Sequence, residues 1–304
     1  MSTVIEVNNL CKNYGNVTAV DDVSFQVHEG EIFGMVGPNG AGKTTTIECL
    51  EGLRQADSGL VKLLGLDPRL ERRNLAERIG IQLQASSLPP RIHVEEALDL
   101  FASFYQQQAN PIDLLNLMGL TEKRDSSYAK LSGGQKQRLF IALALINRPE
   151  IVFFDELTTG LDPQARRSMW DVVRNIRQNG CTVFLTTHFM EEAERLCDRV
   201  LIIDHGKIVA LDNPEKLIRS LGIEKRLVFS LPTGQKAVDL SNLPQVQQVE
   251  QTDERLTVSG QGETFASSVV TALEALGVHF LDLRTEQPNL DDVFLALTGR
   301  EIKE

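Results

Sequence analysis

Short apolar runs recur through the first two thirds of the chain, separated by turns or by stretches of helical character. In residues 23–27 every second position is apolar (Val23, Phe25, Val27), and residues 4–7 are similarly patterned, which predicts half-buried strands. Residues 32–36, 151–154, 183–185 and 200–203 are almost wholly apolar, as strands covered on both faces must be. With helical segments between them, including one over 44–53, these runs predict a parallel sheet. Asp204-His205-Gly206-Lys207 predicts a hairpin turn into Ile208 and Val209.

The pattern changes between residues 84 and 130. Helical stretches at 94–105 and 112–118, punctuated by Pro89-Pro90 and Asn110-Pro111, predict an inserted helical subdomain over about 85–145. Beyond Leu221-Gly222 the chain alternates in short segments (226–231, 236–240, 246–249, 255–258). A helix over 263–276, a strand over 278–283 and a last helix over 289–298 follow. The expected organisation is an α/β domain over 1–222, with mixed sheet core, antiparallel β subdomain and helical subdomain, then a small α+β domain over 224–304.

Composition narrows the partners. The 304 residues suit about two domains. Forty-two acidic against 31 basic residues give a net charge of −11, which disfavours nucleic acid, whose phosphate backbone requires clustered Lys and Arg. No apolar run approaches the roughly 18 residues of a membrane span, and the first residues lack the basic, then apolar, order of a signal peptide. Cys11, Cys49, Cys181 and Cys197 form no Cys-x-x-Cys pair, so neither a zinc site nor a redox motif is indicated, and free thiols point to the cytoplasm.

Three segments carry chemistry. Gly37-Pro38-Asn39-Gly40-Ala41-Gly42-Lys43-Thr44, followed by Thr45, has Walker A spacing between an apolar strand and a helix. Its glycines let backbone N–H groups turn onto phosphates at a helix N-terminus, Lys43 reaches the β- and γ-phosphates, and the Thr44 hydroxyl suits Mg²⁺. Residues 151–156 are an apolar strand ending in Asp155 and Glu156, a Walker B arrangement. In it Asp155 would hold Mg²⁺ through water and Glu156 would polarise the attacking water. In Leu131-Ser132-Gly133-Gly134-Gln135, Ser132 is placed to cap the following helix, and two glycines leave backbone N–H groups open to an anion.

Together these segments closely resemble the ATP-binding cassette (ABC) ATPases, P-loop NTPases whose signature is LSGGQ, over about residues 3–220. The resemblance implies ATP with Mg²⁺, and a head-to-tail homodimer in which the loop at 37–44 of one chain faces Ser132, Gly133, Gly134 and Gln135 of the other. It also implies membrane permease subunits that hold the chain on the cytoplasmic face of the cell membrane. By the same resemblance Tyr14 stacks on adenine, and Gln84 contacts Mg²⁺ and water, with Gln82 on the same strand face as a rival. Asp162 of Gly160-Leu161-Asp162 crosses to the second subunit, and His188 contacts the γ-phosphate. His28, His93, His205 and His279 read as surface residues. One departure is Leu157, where the family usually has Pro; proline would fix φ and remove a donor, so leucine is expected to loosen the turn. Residues 284–299 resemble the ending of ABC-2 type exporter ATPases, which favours export over two alternatives, an importer ATPase and a soluble non-transport ABC protein.

Overall fold

The computed structural model describes residues 2–82, 87–222, 225–232, 240–252 and 254–300. The chain forms two compact units, 1–214 and 215–301.

In the first unit the strands are β1 (Thr3–Tyr14), β2 (Val17–His28), β3 (Ile32–Val36), β4 (Ser58–Leu63), β5 (Ile79–Gln82), β6 (Ile151–Asp155), β7 (Thr182–Thr187), β8 (Arg199–Asp204) and β9 (Lys207–Asp212). Its helices are α1 (Lys43–Leu50), α2 (Arg72–Ala76), α3 (Val94–Ala102), α4 (Pro111–Met118), α5 (Gly133–Ala144), α6 (Pro163–Gln178) and α7 (Met190–Leu196). The large sheet runs β5-β6-β7-β3-β8-β9 and is parallel except for the β8–β9 hairpin, whose turn falls at the predicted Asp204–Lys207. A three-stranded antiparallel sheet, β2-β1-β4, packs beside it.

Strands β3, β6 and β7 are buried at every residue, including Asp155, Thr182, Thr186 and Thr187, whereas β2 buries Val23, Phe25 and Val27 and exposes Ser24 and Gln26. Phe25 of the small sheet stacks on Phe33 of the large one at 5.4 Å, and Phe33 on Phe184 at 5.6 Å. Such aromatic pairs add about 1 kcal/mol each beyond area burial, so this stack helps fix the two sheets together. Helices α3, α4 and α5 pack on one another as the helical subdomain. Helix α4 starts at Asn110, whose side chain accepts from the Ile112 amide, with Pro111 in the first turn.

The second unit holds α8 (Pro214–Ser220, beginning at the boundary), β10 (Lys225–Ser230), β11 (Val246–Thr252), β12 (Arg255–Gly260), α9 (Phe265–Ala275), β13 (Leu281–Glu286) and α10 (Leu290–Thr298). The antiparallel order is β11-β12-β10-β13, and Leu227, Phe229, Leu256 and Val258 form a core with Phe265, Val269 and Leu273 of α9. The strand expected at 278–283 lies instead at Leu281–Glu286. The Gly277 amide donates to Glu274 and the Val278 amide to Leu273, a helix-terminating pair that keeps Val278 in the cap of α9 and delays the strand. The segment expected at 236–240 lies outside the described residues except for Leu240, which is buried. Helix α10 buries Leu290, Val293 and Phe294 but leaves Leu297, on the same apolar spacing, exposed.

Candidate nucleotide site

The loop between β3 and α1 is shaped by glycine at two points where a side chain has no room. A Cβ on Gly37 would lie 2.2 Å from the Ile203 carbonyl oxygen, and one on Gly42, at φ 107°, would lie 2.3 Å from the Ala19 oxygen. The loop therefore closes down on the sheet and delivers Lys43 at the first turn of α1. Lys43 is buried, and its Nζ donates to the carbonyls of Gly37 (2.8 Å) and Pro38 (3.1 Å). It also stands 3.7 Å from Glu156 Oε1. Burial pulls this ammonium below the usual lysine range, and the carboxylates of Glu156 and Asp155 oppose the shift.

Asp155 ends β6. Burial raises its carboxyl, and hydrogen bonds from the Thr186 and Thr44 hydroxyls draw it back. Glu156 follows in the left-handed region, at φ 51°. Its amide is anchored on Thr186, to the carbonyl at 3.2 Å and the hydroxyl at 3.1 Å, and the Thr159 hydroxyl donates to Oε2 at 3.3 Å. His188, just past β7, places Nδ1 3.5 Å from Glu156 Oε1. The ends of β3, β6 and β7 thus bring Lys43, Asp155, Glu156 and His188 to one place, the carboxyl edge where open parallel sheets bind ligands.

With that geometry in view, the family description "ABC transporter" matches residues 20–159. The chain is 41% identical over 311 aligned positions to the "Nod factor export ATP-binding protein I" of Paraburkholderia xenovorans, covering 99% of this chain and 98% of that protein. This chain belongs to the ABC transporter family. Among solved structures, an ATP-binding subunit of an ABC transporter superposes with a TM-score of 0.65 at 28% identity, covering 72% of this chain and 94% of that one. A second ATP-binding cassette, solved as a dimer with ADP and phosphate in a post-hydrolysis state, gives a TM-score of 0.61 at 24% identity, covering 69% and 98%. The fold is that of ABC cassettes, and the chain is an ABC ATPase.

The signature segment of this ABC ATPase forms a second locus. Ser132 accepts from the Gln135 amide (3.3 Å), and Gln135 Oε1 accepts from the Ser132 amide (3.0 Å), a reciprocal cap at the start of α5. Ser132, Gly134 and Gln135 line a recess with Arg138, Leu161 and Ala165. Nearby, Asp162 caps α6 by accepting from the Ala165 amide at 2.9 Å. Tyr14, at the end of β1, is 41% exposed, with Lys12 Nζ 5.7 Å and the Arg54 guanidinium 5.2 Å from its ring centroid. Gln82, buried at the end of β5, pairs in register with Phe154, while Gln84 lies outside the described residues. His93, His205 and His279 are exposed, and His28 is half-buried.

Leu157 is buried, and its carbonyl accepts from Gln137 Nε2 of α5 at 3.0 Å. The turn around it is closed by bonds from Thr159 N to Glu156 O and from Leu161 N to Thr158 O, both 3.2 Å. Sequence reasoning passed over Gln137 and Thr186. The Thr186 contact was accessible from its position on β7, two residues before His188; the Gln137 contact depends on tertiary packing and left no local signal.

The donor set fits Mg²⁺. Thr44 and Asp155, whose side chains already meet, offer a hydroxyl and a carboxylate, hard oxygens of the type Mg²⁺ takes together with phosphate oxygens and water. Among the described residues no cluster of three or more His, Cys, Asp or Glu side chains is arranged to hold a metal.

Proposed function

We propose that this ABC ATPase powers export through separate membrane permease subunits, hydrolysing Mg²⁺–ATP between two copies of the chain arranged head to tail. The observation that carries the reading is the convergence on Glu156 Oε1 of Lys43 Nζ, at 3.7 Å, and His188 Nδ1, at 3.5 Å. Export is supported by a relative of matching length that is itself named for export.

In this reading the amides of residues 37–45 and Lys43 hold the β- and γ-phosphates, and Tyr14 offers its ring to adenine. Thr44 and Asp155 would hold Mg²⁺, with Gln84 as a further contact; bound there, it neutralises charge on the phosphates. Glu156 accepts a proton from the attacking water as general base. His188, beside the same carboxylate, donates to the γ-phosphate. Ser132, Gly133, Gly134 and Gln135 of the second copy present another helix N-terminus to that phosphate, and Asp162 sits at the junction. Neither chain alone completes a site, so ATP joins the two and hydrolysis releases them. Among the described residues no helix is long and apolar enough to cross a membrane, and in this reading the chain is held at the cytoplasmic face by its permease partners.

The test is ATP-dependent assembly. Glu156→Gln, which keeps the shape but removes the base, is expected to accumulate as a dimer with ATP and Mg²⁺ in sedimentation velocity; a variant that stays monomeric at saturating ATP contradicts the head-to-tail reading.

A further inference from the structure

The turn after Glu156 is held by a helix that the catalytic scheme uses only for its N-terminus. Glu156 stands at φ 51°, and backbone strain of this kind persists where the surroundings over-determine it. Strand β7 supplies the Thr186 contacts to the Glu156 amide, and the turn closes on itself through the bonds of Thr159 and Leu161. Helix α5 adds a hold from another side. Half-buried Gln137 donates its Nε2 to the Leu157 carbonyl at 3.0 Å, one residue beyond Glu156. A carbonyl only accepts, so the bond requires a donor at position 137, and a main-chain acceptor is present whatever side chain stands at 157.

A second contact joins the same two pieces. Leu161, at the far end of the turn, lies against the signature segment: a Cβ on Gly134 would come 4.0 Å from Leu161 Cδ2. Leu161 also shares one recess with Ser132, Gly134 and Gln135. Helix α5 runs unbroken from Gly133 to Ala144, buries Leu139, Ile141, Ala142 and Leu143, and packs on α3, α4 and β5. Its first turns therefore move with the body of the helix and not as a free loop. Gln137 lies just past the reciprocal cap of Ser132 and Gln135, on that same rigid rod.

On the proposed roles of Glu156 and the signature segment, we infer that Gln137 is a positioning residue for ATP hydrolysis, a latch between the signature helix and the turn that carries the base. In the head-to-tail reading a chain's signature segment addresses its partner's nucleotide while its Glu156 serves its own. The latch therefore spans from the contact made with one nucleotide to the base that acts on the other. Without the donor, the Leu157 carbonyl is released from α5 and Glu156 loses one of the constraints that keep it in a strained conformation.

The experiment compares the full-length wild-type chain with Gln137→Met, Gln137→Glu and Gln137→Lys. Methionine keeps the length without the donor, glutamate sets an acceptor against the carbonyl, and lysine keeps a donor. All four residues have similar helix propensities, so the change itself does not weaken α5. Steady-state hydrolysis with Mg²⁺ gives kcat and KM. Sedimentation velocity of each substitution combined with Glu156→Gln gives the ATP concentration that half-assembles the dimer. Expected for Gln137→Met is a kcat lower on the order of tenfold, the scale of one lost hydrogen bond, with Gln137→Glu lower still and Gln137→Lys back to within about threefold of wild type. KM and the assembly concentration stay within about twofold of wild type, since a constraint on the base acts on turnover and not on binding. Should Gln137→Met not fold, Gln137→Glu against Gln137→Lys is judged by the same criterion. Wild-type kcat in the donor-less variants overturns the inference, as does an equal loss in Gln137→Lys. A raised KM or assembly concentration also overturns it, by placing Gln137 in nucleotide or partner binding. A parallel Glu156→Gln rate separates the two ideas: full turnover there removes the base itself, whereas loss there with normal turnover in Gln137→Met removes only the latch.

Discussion

Glu156 carries the site's clearest residue-scale tension. A non-glycine residue at φ 51° gives up roughly 1–2 kcal/mol relative to the right-handed region. Its amide, shared between the carbonyl and hydroxyl of Thr186, and the Thr159 contact hold it there, aimed at Lys43 and His188. Glu51 shows a different tension. Burial, with Asp155 and Glu48 adding like charge, pushes its carboxyl from the ordinary 4.5 to about 8. The sign follows from linkage: the folded chain holds this proton more tightly than the unfolded chain, so stability falls as pH rises from 4.5 through about 8. Glu51→Gln is therefore expected to melt like wild type near pH 4.5 and to be more stable by roughly a few kcal/mol at pH 8 and above. Thermal melts across that range check it, and a gap independent of pH contradicts it.

At the scale of elements, the signature segment does two jobs that one substitution separates. Ser132→Ala removes the reciprocal cap of α5 and is expected to cost about 1 kcal/mol of stability. If Ser132 also faces the partner's nucleotide, the ATP concentration needed for dimerisation rises more than that loss explains; melting and sedimentation on the same sample separate the effects. The elements also show what was legible in the sequence. Strands β3, β6, β7 and β8 were readable because the middle of a strand covered on both faces is a continuous apolar run, and the phosphate loop because its spacing is set by backbone geometry. Strands β1 and β2 run beyond their apolar cores since polar residues such as Asn13, bound to Asp57, continue the ladder. The strand predicted at 278 was misplaced because Val278, apolar and β-branched, is used to end α9. The hydrogen bond from Trp170 to Glu192 left no trace in spacing, since the packing of α6 and α7 creates it.

For the whole molecule, net charge proved uninformative about the ligand. A chain of charge −11 is an ABC ATPase because local amides, Lys43 and hard-oxygen donors act at short range, where the global field matters little. The C-terminal unit has a separate core, built on Phe229, Phe265 and Leu273, and we read it as an accessory that steadies the dimer. Removing residues 224–304 is expected to leave ATP binding intact while weakening ATP-dependent dimerisation, as titration and sedimentation would show; unchanged dimerisation argues against that role. The central claim, that Glu156 is the base of a composite site, is tested most directly by the steady-state hydrolysis rate of Glu156→Gln with ATP and Mg²⁺ at saturation. The account predicts a rate lower by roughly two to four decades with ATP still bound. A rate equal to wild type would contradict it.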